Sequence, residues 1–585
     1  MRHPRKTFMG IGVKSIAFAG KRWIPDIVTS LLLVAVGLHF WPWGNLPRAP
    51  RLPPDAPAWT TFNDYMLAGP DAGEWAGAAS ALFEGRFEAL DWHRMPTWPI
   101  LTALVMNIEP NVILAGHLLN HLCMLVTPIA VYLLGRSMIS WVGAVLAGIL
   151  VACTPPLVAS SRRYGVDPLI VLLLPTALWS ARAAARRFRY APVAGAIGGL
   201  STIAHYTTLP QLGPVLWMLL ASGKGIAKRI GVLVLYLMSA GGLIWLVYRI
   251  FPLPSGDQFV RDLAEGVQAG SHHTGQPMAT AWKAPLRILK SGADGALYQG
   301  AKNLLIWFVP PWFPWSLAVW LPLVGLLGSP VEPETAGTWH GTRIIRRVSS
   351  AMWTGIPLLL ALAPLPILTA AKASGRYSHT LFPIFILLFV RGLDALGGWL
   401  DLVIRRFVPS LPRGATLAPL AVAMSIVAWT SAERWLENKP PDWRDIGVYT
   451  LAEALKEHFP DPGGAACLIR EANVMAGRSY CPMTSCPFGT DSSQFEACID
   501  IMRAECAGTG AFPYVAATWL EHDDRPEKRR AMDAWALETF PTVATIRTFG
   551  LEATILAIPR SPSMPSRDQD TSPGNGSGNP ADGKE

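Results

Sequence analysis

The chain has 585 residues, of which 51% are hydrophobic and only 16% charged, whereas soluble domains usually carry about a quarter charged residues. Apolar runs fill most of residues 24–431, which excludes a wholly soluble protein. The formal net charge of +9 does not indicate nucleic-acid binding, because the basic residues form short clusters between apolar runs and not one stripe with interleaved aromatic residues.

The N-terminal segment is basic and precedes an apolar run. Residues 1–23 contain six Lys or Arg residues and no acidic residue. The run Ile24–Trp41 follows, and it is long for the apolar part of a signal peptide. Because positive charge favours the cytoplasmic side, we expect 1–23 to be cytoplasmic and the run to be a retained first span.

Ten further apolar runs are candidates for membrane spans. A helix needs about 20 mostly apolar residues to cross the bilayer, so the prediction is a polytopic helical membrane protein with about 11 spans. The further candidates are Ile113–Leu134, Trp141–Leu157, Pro168–Ala185, Ala191–Leu209, Gln211–Ser222, Gly231–Phe251, Leu304–Leu327, Met352–Ala371, Leu381–Leu400 and Ala415–Ser431.

The basic clusters between the spans set the orientation. With this span count, every cluster falls on the side of the N-terminus, as the positive-inside rule requires. An odd number of spans then places the C-terminal region outside, in the periplasm or its equivalent, and the protein in the plasma (inner) membrane. The clusters are Arg136, Arg182/Arg186/Arg187/Arg189, Lys224/Lys228/Arg229, Arg343/Arg346/Arg347 and Arg405/Arg406.

Three segments are predicted to lie outside: the loops 42–99 and 252–301, and a soluble domain at 432–560. This domain is expected to be a small α/β domain behind the transmembrane region 24–431. Residues 561–585 are rich in Ser, Pro, Gly and Asp and are predicted to be disordered. Helices are expected at Ile446–His458 and Ser493–Arg503, and strands at Ala465–Ile469, Tyr514–Trp519 and Ala553–Ile558.

Five of the seven cysteines lie in the predicted outside domain. Disulfides form in oxidising compartments, so disulfides are favoured over a zinc site, for which the spacing does not match. One of the five must then stay unpaired or pair with another molecule, and the connectivity is open. The candidates are Cys467, Cys481, Cys486, Cys498 and Cys506, whereas Cys123 and Cys153 lie inside spans.

The first outside loop contains the main candidate for chemistry. Trp75, Ala79, Leu82 and Phe83 share one face at helical spacing, which indicates a helix lying in the membrane interface. Asp71 stands near the start of that helix. It could cap the helix, which spacing alone favours, or it could act as a general base at the membrane surface.

Asp71 and Trp75 match a motif of the GT-C glycosyltransferases, in which an Asp and, four residues later, an aromatic residue begin an interfacial helix. The segment resembles family 39-like members, the group of protein O-mannosyltransferases and aminoarabinose lipid A transferases. Their loop continues with a Gly and a Pro-containing stretch, and Gly85 and His93–Pro96 correspond. Many members have an acidic residue directly after the Asp, where this chain has Ala72.

The resemblance continues along residues 24–400. The stretch Ser161–Pro168, with Arg163, is similar to a short outside loop of these enzymes. Arg376 and Tyr377, followed by Leu381–Pro383, are similar to their Arg-Tyr and Leu-Pro signature before a late span. The motifs are short, and they specify the superfamily and not the substrate.

The resemblance implies an inverting hexosyl- or pentosyltransferase that acts on the outer face of the membrane. Its donor would be a polyprenyl-phosphate sugar and its acceptor a hydroxyl of a glycolipid such as lipid A, a polysaccharide or a protein. Asp71 would be the catalytic base, with Glu74 as a second carboxylate. The implied substrate-binding residues are Arg163, Arg376, Tyr377, His93 and Arg94. The arginines are suited to phosphate but could instead snorkel to the interface, and Arg163 could simply pair with Asp167. His205, near the end of a span on the same face, could line the site or be structural.

No cofactor follows from the sequence, although a divalent cation remains an option. His117 and His121 have metal-ligand spacing on one helix face, but no third ligand is evident, so polar contacts between helices are the favoured interpretation. No protein metal ligand is therefore assigned.

Two alternatives to an enzyme stay open. The chain could be a transporter or flippase for a lipid-linked glycan, which would need polar residues deep in the spans. It could also be a non-catalytic membrane scaffold whose outside domain binds a partner.

Overall fold

The computed structural model describes a large part of the chain. For some residues it describes the backbone but not the side chain: 12–23, 70–74, 159, 161, 436–438, 443–446, 449, 464, 467, 479–480, 492, 504–505, 518–519, 527–529 and 548. The described residues are 12–40, 70–85, 96–161, 164–205, 208, 211–220, 225–250, 309, 320–325, 355–358, 360–362, 380–410, 415–438, 443–460, 464–467, 472, 476, 479–480, 492–505, 511–519, 527–548 and 551–559.

The chain divides into two compact units, Met1–Asp445 and Ile446–Glu585. The first unit is helical throughout its described residues. Its helices are α1 (Gly12–Phe40), α2 (Pro70–Phe83), α3 (Thr97–Val105), α4 (Val112–Arg136), α5 (Trp141–Cys153), α6 (Pro155–Ser161), α7 (Asp167–Arg186), α8 (Ala191–Thr202), α9 (Leu212–Leu220), α10 (Ile226–Ile250), α11 (Phe382–Ile404) and α12 (Leu417–Asn438). A 3₁₀ turn, Phe188–Tyr190, connects α7 to α8.

The predicted helical membrane architecture is confirmed. Within the described residues, α4, α7, α10 and α11 are long and apolar enough to cross a bilayer, and Ile24–Phe40 and Trp141–Cys153 are shorter apolar helices. Each of these lies on a predicted span. Of the predicted spans at 304–327 and 352–371, the structure describes only residues 309, 320–325, 355–358 and 360–362, and the loop 252–301 lies outside the described residues.

Polar residues beside the apolar runs begin several of these helices. The Asn111 side chain accepts hydrogen bonds from the backbone N–H groups of Ile113 and Leu114 at the start of α4. Ser140 does the same for Gly143 in α5. Such caps satisfy donors that a helix cannot pair internally, which fixes where each apolar run becomes helical.

One end of the bundle, called here the arginine-rich end, gathers the basic clusters. Arg136 at the end of α4 pairs with Asp26 of α1 at 3.2 Å, and Tyr132 also donates to Asp26. Asp394 of α11 accepts hydrogen bonds from the backbone N–H and the hydroxyl of Ser140. Polar contacts at this end therefore connect α1, α4, α5 and α11.

The opposite end of α1 contacts the opposite end of α12. His39 stacks on Trp429 with ring centroids 4.5 Å apart, and Phe40 meets the same indole edge-on. Trp429 Nε1 donates to Glu433 at 2.7 Å. The first and last described helices of the unit thus meet at the end away from the arginines.

Buried apolar residues of α4, α5, α7, α11 and α12 form one continuous core. The outer faces of the bundle are apolar as well: Ile27 and Leu31 of α1, and Met238 and Trp245 of α10, are each more than half exposed. Water-soluble monomers rarely expose contiguous apolar surface on this scale, so these faces suit the hydrocarbon of a bilayer.

The second unit is an α/β domain, as predicted. Its elements are α13 (Trp443–His458), β1 (Gly464–Cys467), β2 (Ser479–Tyr480), α14 (Ser492–Glu505), β3 (Phe512–Trp519), α15 (Glu527–Thr539), β4 (Thr542–Thr548) and β5 (Leu551–Ile558). The strand order is β2-β1-β3-β5-β4. β1 runs parallel to β2 and β3, whereas β5 runs antiparallel to β3 and β4.

Helices cover both faces of this sheet. Alternate strand residues point to opposite faces, so Tyr514 and Ala516 pack on α14 and α15 while Val515 packs on α13. The three strands and two helices predicted from the sequence are present. Helix α15 and the strands β2 and β4 were not predicted, because these elements are either very short or composed largely of polar residues.

One of the five disulfide candidates has a described side chain. Cys498 is a buried thiol on the core face of α14, packed with apolar residues that include Phe495 and Met502. No disulfide is found within the described residues. The side chains of Cys467, Cys481, Cys486 and Cys506 lie outside the described residues, so disulfides among them stay a prediction.

Candidate active site

Helix α2 carries both candidate catalytic carboxylates near its start. It begins at Pro70, and Pro suits the first position of a helix because its missing N–H would be unpaired there. Asp71 therefore lies in the first turn, where the helix dipole favours a negative charge. Glu74 follows three residues later, and for both residues the structure describes the backbone alone.

Trp75 anchors α2 against the loop that precedes α7. It is 3% exposed, and a Cβ at Gly165 would lie 2.5 Å from its Cζ3 atom, a distance that real side chains do not reach. Gly165 also has a φ of +154°, which disfavours other residues. The Trp75 ring thus packs on protein, and the interfacial position of α2 stays a prediction.

The predicted apolar face of α2 is correct only in part. Ala79 and Leu82 are buried, but Phe83 at the end of the helix is 42% exposed. Ala79 packs with Met106 and Ala115, and Leu82 lies in a cluster with Ile100 of α3. The face of α2 that includes Trp75, Ala79 and Leu82 therefore packs against neighbouring parts of the first unit.

Tyr164 is the centre of an aromatic cluster, defined here as Trp75, Trp98, His117 and Tyr164. Its ring meets Trp98 of α3 edge-on at 6.2 Å between centroids and His117 of α4 at 5.7 Å. A Cβ at Gly116 would lie 2.0 Å from Cε2 of Tyr164. The loop before α7 is thus seated closely on α3 and α4.

Burial raises the pKa of the Tyr164 phenol above its ordinary value, and the Thr102 hydroxyl opposes this shift. The phenol therefore stays protonated at neutral pH. It therefore does not serve as the general base. The part that Tyr164 can play is to position the chain around it.

The segment that carries His205 joins the same region. Thr97 at the start of α3 donates to the Ile203 carbonyl at 2.6 Å. His205 follows two residues later and is 4% exposed, and its carbonyl accepts from the Thr208 hydroxyl at 2.6 Å. His205 is thus placed beside α3, two residues beyond a direct contact.

These contacts bring three separate stretches of the first unit together. Through Trp75, Gly165, Tyr164 and Thr97 they connect the start of α2, the loop before α7 and the end of α8. Asp71 lies one helical turn, about 6 Å along the axis, from the residue that contacts Gly165, and Arg163 lies two residues before Gly165 in sequence. The start of α2 and the backbone at Gly165 are therefore neighbours.

Five predicted site residues cannot be placed. Arg163, Arg376, Tyr377, His93 and Arg94 lie outside the described residues. In sequence, Arg163 directly precedes Tyr164 of the aromatic cluster, and Arg94 lies two residues before the described segment that contains Trp98. Arg376 and Tyr377 precede α11. Their roles stay predictions.

The described residues contain no group of three or more His, Cys, Asp or Glu side chains suited to a metal ion. His117 and His121 are both buried on α4, and His121 Nδ1 hydrogen-bonds the His117 carbonyl one turn back at 2.6 Å. His117 packs on Tyr164 of the loop before α7, whereas this hydrogen bond of His121 lies within α4. Polar contacts between helices for this pair stay a prediction.

Tyr164 and Gly165 lie in the loop that resembles the family, but the sequence predicted no role for them. Trp98, Thr97 and Gly116 were not predicted to belong to the site. A signal was present: a glycine directly before His117 on a span, and a Tyr-Gly pair in a short loop. It could not show that the two stretches meet, because that contact joins residues far apart in sequence.

Residues 93–248 match the model of the dolichyl-phosphate-mannose-protein mannosyltransferase family. The match begins at His93 and ends within α10, so it includes Tyr164 and His205 but not Asp71. No curated protein sequence matches the chain at a significant level.

Solved structures similar to the chain include the oligosaccharyltransferase of Archaeoglobus fulgidus. Its complex with a tethered NVT acceptor peptide has a TM-score of 0.51 and 14% identity, covering 91% of this chain and 76% of that one. Its complex with zinc and sulfate has a TM-score of 0.50 and 12% identity, covering 83% and 67%. ArnT from Cupriavidus metallidurans with undecaprenyl phosphate has a TM-score of 0.45 and 13% identity, covering 90% and 97%.

At these identities, what is shared with the oligosaccharyltransferase is the fold. Together with the family match, it confirms the predicted resemblance to the GT-C superfamily.

Proposed function

We propose that this chain, a membrane protein of the GT-C glycosyltransferase type, transfers a sugar from a polyprenyl-phosphate donor to an acceptor hydroxyl on the outer face of the membrane. The observation that carries the proposal is the aromatic cluster, in which Trp75 of α2 packs on Gly165 of the loop before α7. These are the two segments that hold Asp71 and Arg163.

The proposed reaction is an inverting displacement. The acceptor oxygen attacks the anomeric carbon and forms a new C–O bond, while the bond from that carbon to the phosphate oxygen breaks. Asp71 takes the proton of the acceptor hydroxyl, and the lipid phosphate leaves with the bonding electrons. A carboxylate in the first turn of a helix is favoured in its ionised form, which suits this role.

The leaving phosphate needs positive charge close by. The guanidinium of Arg163 is the candidate in the loop before α7, with Arg376 as a second candidate, because arginine binds phosphate oxygens through two parallel hydrogen bonds. His93, Arg94, His205 and Tyr377 would complete the substrate site, and Glu74 would assist as a second carboxylate.

The family match and the fold support the reaction class. The name of the matched family includes a dolichyl-phosphate-linked donor, and an acceptor peptide is bound to the similar oligosaccharyltransferase. A lipid-phosphate sugar and a hydroxyl acceptor are the corresponding proposals for this chain. The acceptor class stays open among glycolipid, polysaccharide and protein, and a divalent cation stays an option beside the donor phosphate.

The test replaces Asp71 in a strain whose own gene has been deleted. We expect Asp71→Asn to be inserted at the normal level but to restore none of the envelope glycan that the deletion removes, as measured by mass spectrometry of the envelope. Removal of a catalytic base typically costs 10²- to 10⁴-fold in rate, to order of magnitude.

Glu84→Gln is the matched control. Glu84 is an exposed acid in the turn that follows α2, so its variant should restore the glycan fully. Full restoration by Asp71→Asn would show that Asp71 is not the base. If the deletion changes no envelope glycan or glycoprotein, the proposed reaction is wrong.

A further inference from the structure

Helix α3 and the loop before α7 enclose three polar atoms that are buried without a hydrogen bond. They are Nε1 of Trp98 and the hydroxyl oxygens of Thr102 and Tyr164, and none has a hydrogen-bond partner among the described residues. Trp98 and Thr102 are fully buried, and Tyr164 is 2% exposed. Folded proteins rarely leave a buried polar group unpaired, because the hydration that it loses is then not replaced. Three such atoms in one place therefore indicate a partner that the described residues do not supply.

Thr102 differs from other threonines in the helices of the first unit. The hydroxyls of Thr127, Thr176 and Thr202 each donate to the carbonyl four residues back, at 2.7, 2.7 and 2.8 Å. Such a bond within one turn is a common way for a helical threonine to satisfy its hydroxyl. Thr102 does not bond the Trp98 carbonyl in this way, so its hydroxyl is available to a group outside α3.

The three side chains face the same region. Trp98 and Thr102 lie four residues apart on α3 and therefore share a helix face. The Trp98 ring meets the Tyr164 ring edge-on, with centroids 6.2 Å apart. The Thr102 hydroxyl is near enough to the Tyr164 phenol to lower its pKa against the larger effect of burial, although the two oxygens form no hydrogen bond with each other. The two hydroxyls are thus neighbours that do not satisfy one another.

The chemistry of these groups suits a small neutral ligand. An indole N–H only donates a hydrogen bond, whereas each hydroxyl both donates and accepts. None of the three side chains carries a charge, and a fully buried ion requires charged partners or coordinating ligands. Because the three side chains are almost completely shielded from solvent, a ligand as large as a sugar ring does not reach them. A water molecule has the size and the mixed donor and acceptor character that the site requires.

We propose that Trp98, Thr102 and Tyr164 bind one buried water molecule, which joins α3 to the loop before α7. The water accepts hydrogen bonds from the Trp98 N–H and the Tyr164 hydroxyl, and it donates one to the Thr102 oxygen. That arrangement gives the water about three hydrogen bonds, the usual number for a buried water. Gly165, on which Trp75 packs, directly follows Tyr164, so the water helps to fix the place where α2 is seated. The inference does not depend on the proposed reaction.

The direct test is a crystal or cryo-microscopy structure of the full-length protein at a resolution that shows ordered waters. We expect density for a water within hydrogen-bonding distance, about 2.7–3.2 Å, of all three atoms. A direct hydrogen bond between the Thr102 and Tyr164 hydroxyls would overturn the proposal. A side chain of another residue in the place of the water would overturn it as well.

Thermal unfolding of hydroxyl-deletion variants in detergent is the second test. We expect Thr102→Val and Tyr164→Phe each to lower the midpoint by on the order of 2 °C, because each leaves the water with one partner fewer. The double variant should lose less than the sum of the two single losses, since both act on the same water.

Thr127→Val is the matched control. Thr127 is as fully buried as Thr102, but its hydroxyl bonds only the Cys123 carbonyl of its own helix, which the helix also pairs. Its removal should therefore change the midpoint much less than Thr102→Val does. Equal midpoints for Thr102→Val and Thr127→Val, or a higher midpoint for Tyr164→Phe, would show that these hydroxyls are not held by a water.

Discussion

Single residues around Tyr164 decide how closely the segments of the candidate site approach one another. Gly116 and Gly165 have no side chain at the two places where an aromatic ring touches the backbone. Tyr164 occupies the space beside the first glycine, and Trp75 occupies the space beside the second. The position of α2, and with it that of Asp71, therefore depends on two missing Cβ atoms.

We expect Gly116→Ala to destabilise the protein by about 1–3 kcal/mol, the usual cost of overpacking. Ala is favoured over Gly in a helix by only about 0.5–1 kcal/mol, so the clash with the Tyr164 ring should win. Glycan restoration in the deletion strain should fall as well, because the loop before α7 must move. Thermal unfolding in detergent measures the first effect and envelope mass spectrometry the second.

Gly77→Ala provides the comparison for this prediction. Gly77 lies inside α2, and a Cβ there would have no atom within 4 Å. This variant should be neutral or slightly stabilising, since only the helix preference changes. A Gly116→Ala protein as stable as Gly77→Ala would show that the Tyr164 ring is not seated on α4 as described.

Among the elements, α8 and α10 form a helix pair with close backbone contacts. Gly195 and Gly199 of α8 face the backbone of α10: a Cβ at Gly195 would lie 2.3 Å from the Tyr236 carbonyl oxygen, and one at Gly199 would lie 2.7 Å from the Ala240 carbonyl oxygen. Small residues four apart allow such approaches between membrane helices. This packing holds α8, which ends just before Ile203 and His205.

We expect the double variant Gly195→Ala/Gly199→Ala to lower the midpoint of thermal unfolding, because the obstructing atoms belong to the backbone and cannot rotate away. A cost of about 1–3 kcal/mol at each position is the usual range for overpacking. Gly241→Ala/Gly242→Ala on α10 is the control, since a Cβ at either position would have no atom within 4 Å. Equal midpoints for the two double variants would contradict the described packing.

At the scale of the whole molecule, the two ends of the helical bundle differ in the residues that they carry. Arg136, Arg182 and Arg186 lie together at one end, and the aromatic cluster lies at the other end of α4 and α7. The positive-inside rule assigns the arginine-rich end to the cytoplasm. That assignment places the proposed reaction outside, where a polyprenyl-phosphate donor in the outer leaflet could reach it.

Reporter fusions test this orientation in a Gram-negative host. A fluorescent protein that folds only in the cytoplasm should be fluorescent when fused to the N-terminus, and alkaline phosphatase should be active when fused after Glu585. The expectation follows from an odd number of spans and the side of the basic clusters. An inactive phosphatase fusion together with a fluorescent N-terminal fusion would require an even number of spans.

Much of the architecture followed from the sequence because it depends on local physics. The apolar runs were predicted as membrane spans because a helix pairs its backbone N–H and C=O groups internally, as the bilayer interior requires. Helices α4, α7, α10 and α11 lie where spans were predicted. The alternating pattern of β3 and β5 likewise located the sheet of the second unit. The mostly polar α15 and the very short β2 gave no such signal.

By itself, the sequence determined the membrane class, the order of the elements, the arginine clusters and the choice of Asp71 as a candidate base. Each of these can be read within a window of about 20 residues. Only the tertiary structure decided that Trp75 packs on Gly165, that Tyr164 seats on Gly116, and that Thr97 holds the segment of His205. These contacts join positions dozens of residues apart, and they depend on the shapes of rings and on the absence of single Cβ atoms. Such complementarity exists only once the helices are packed.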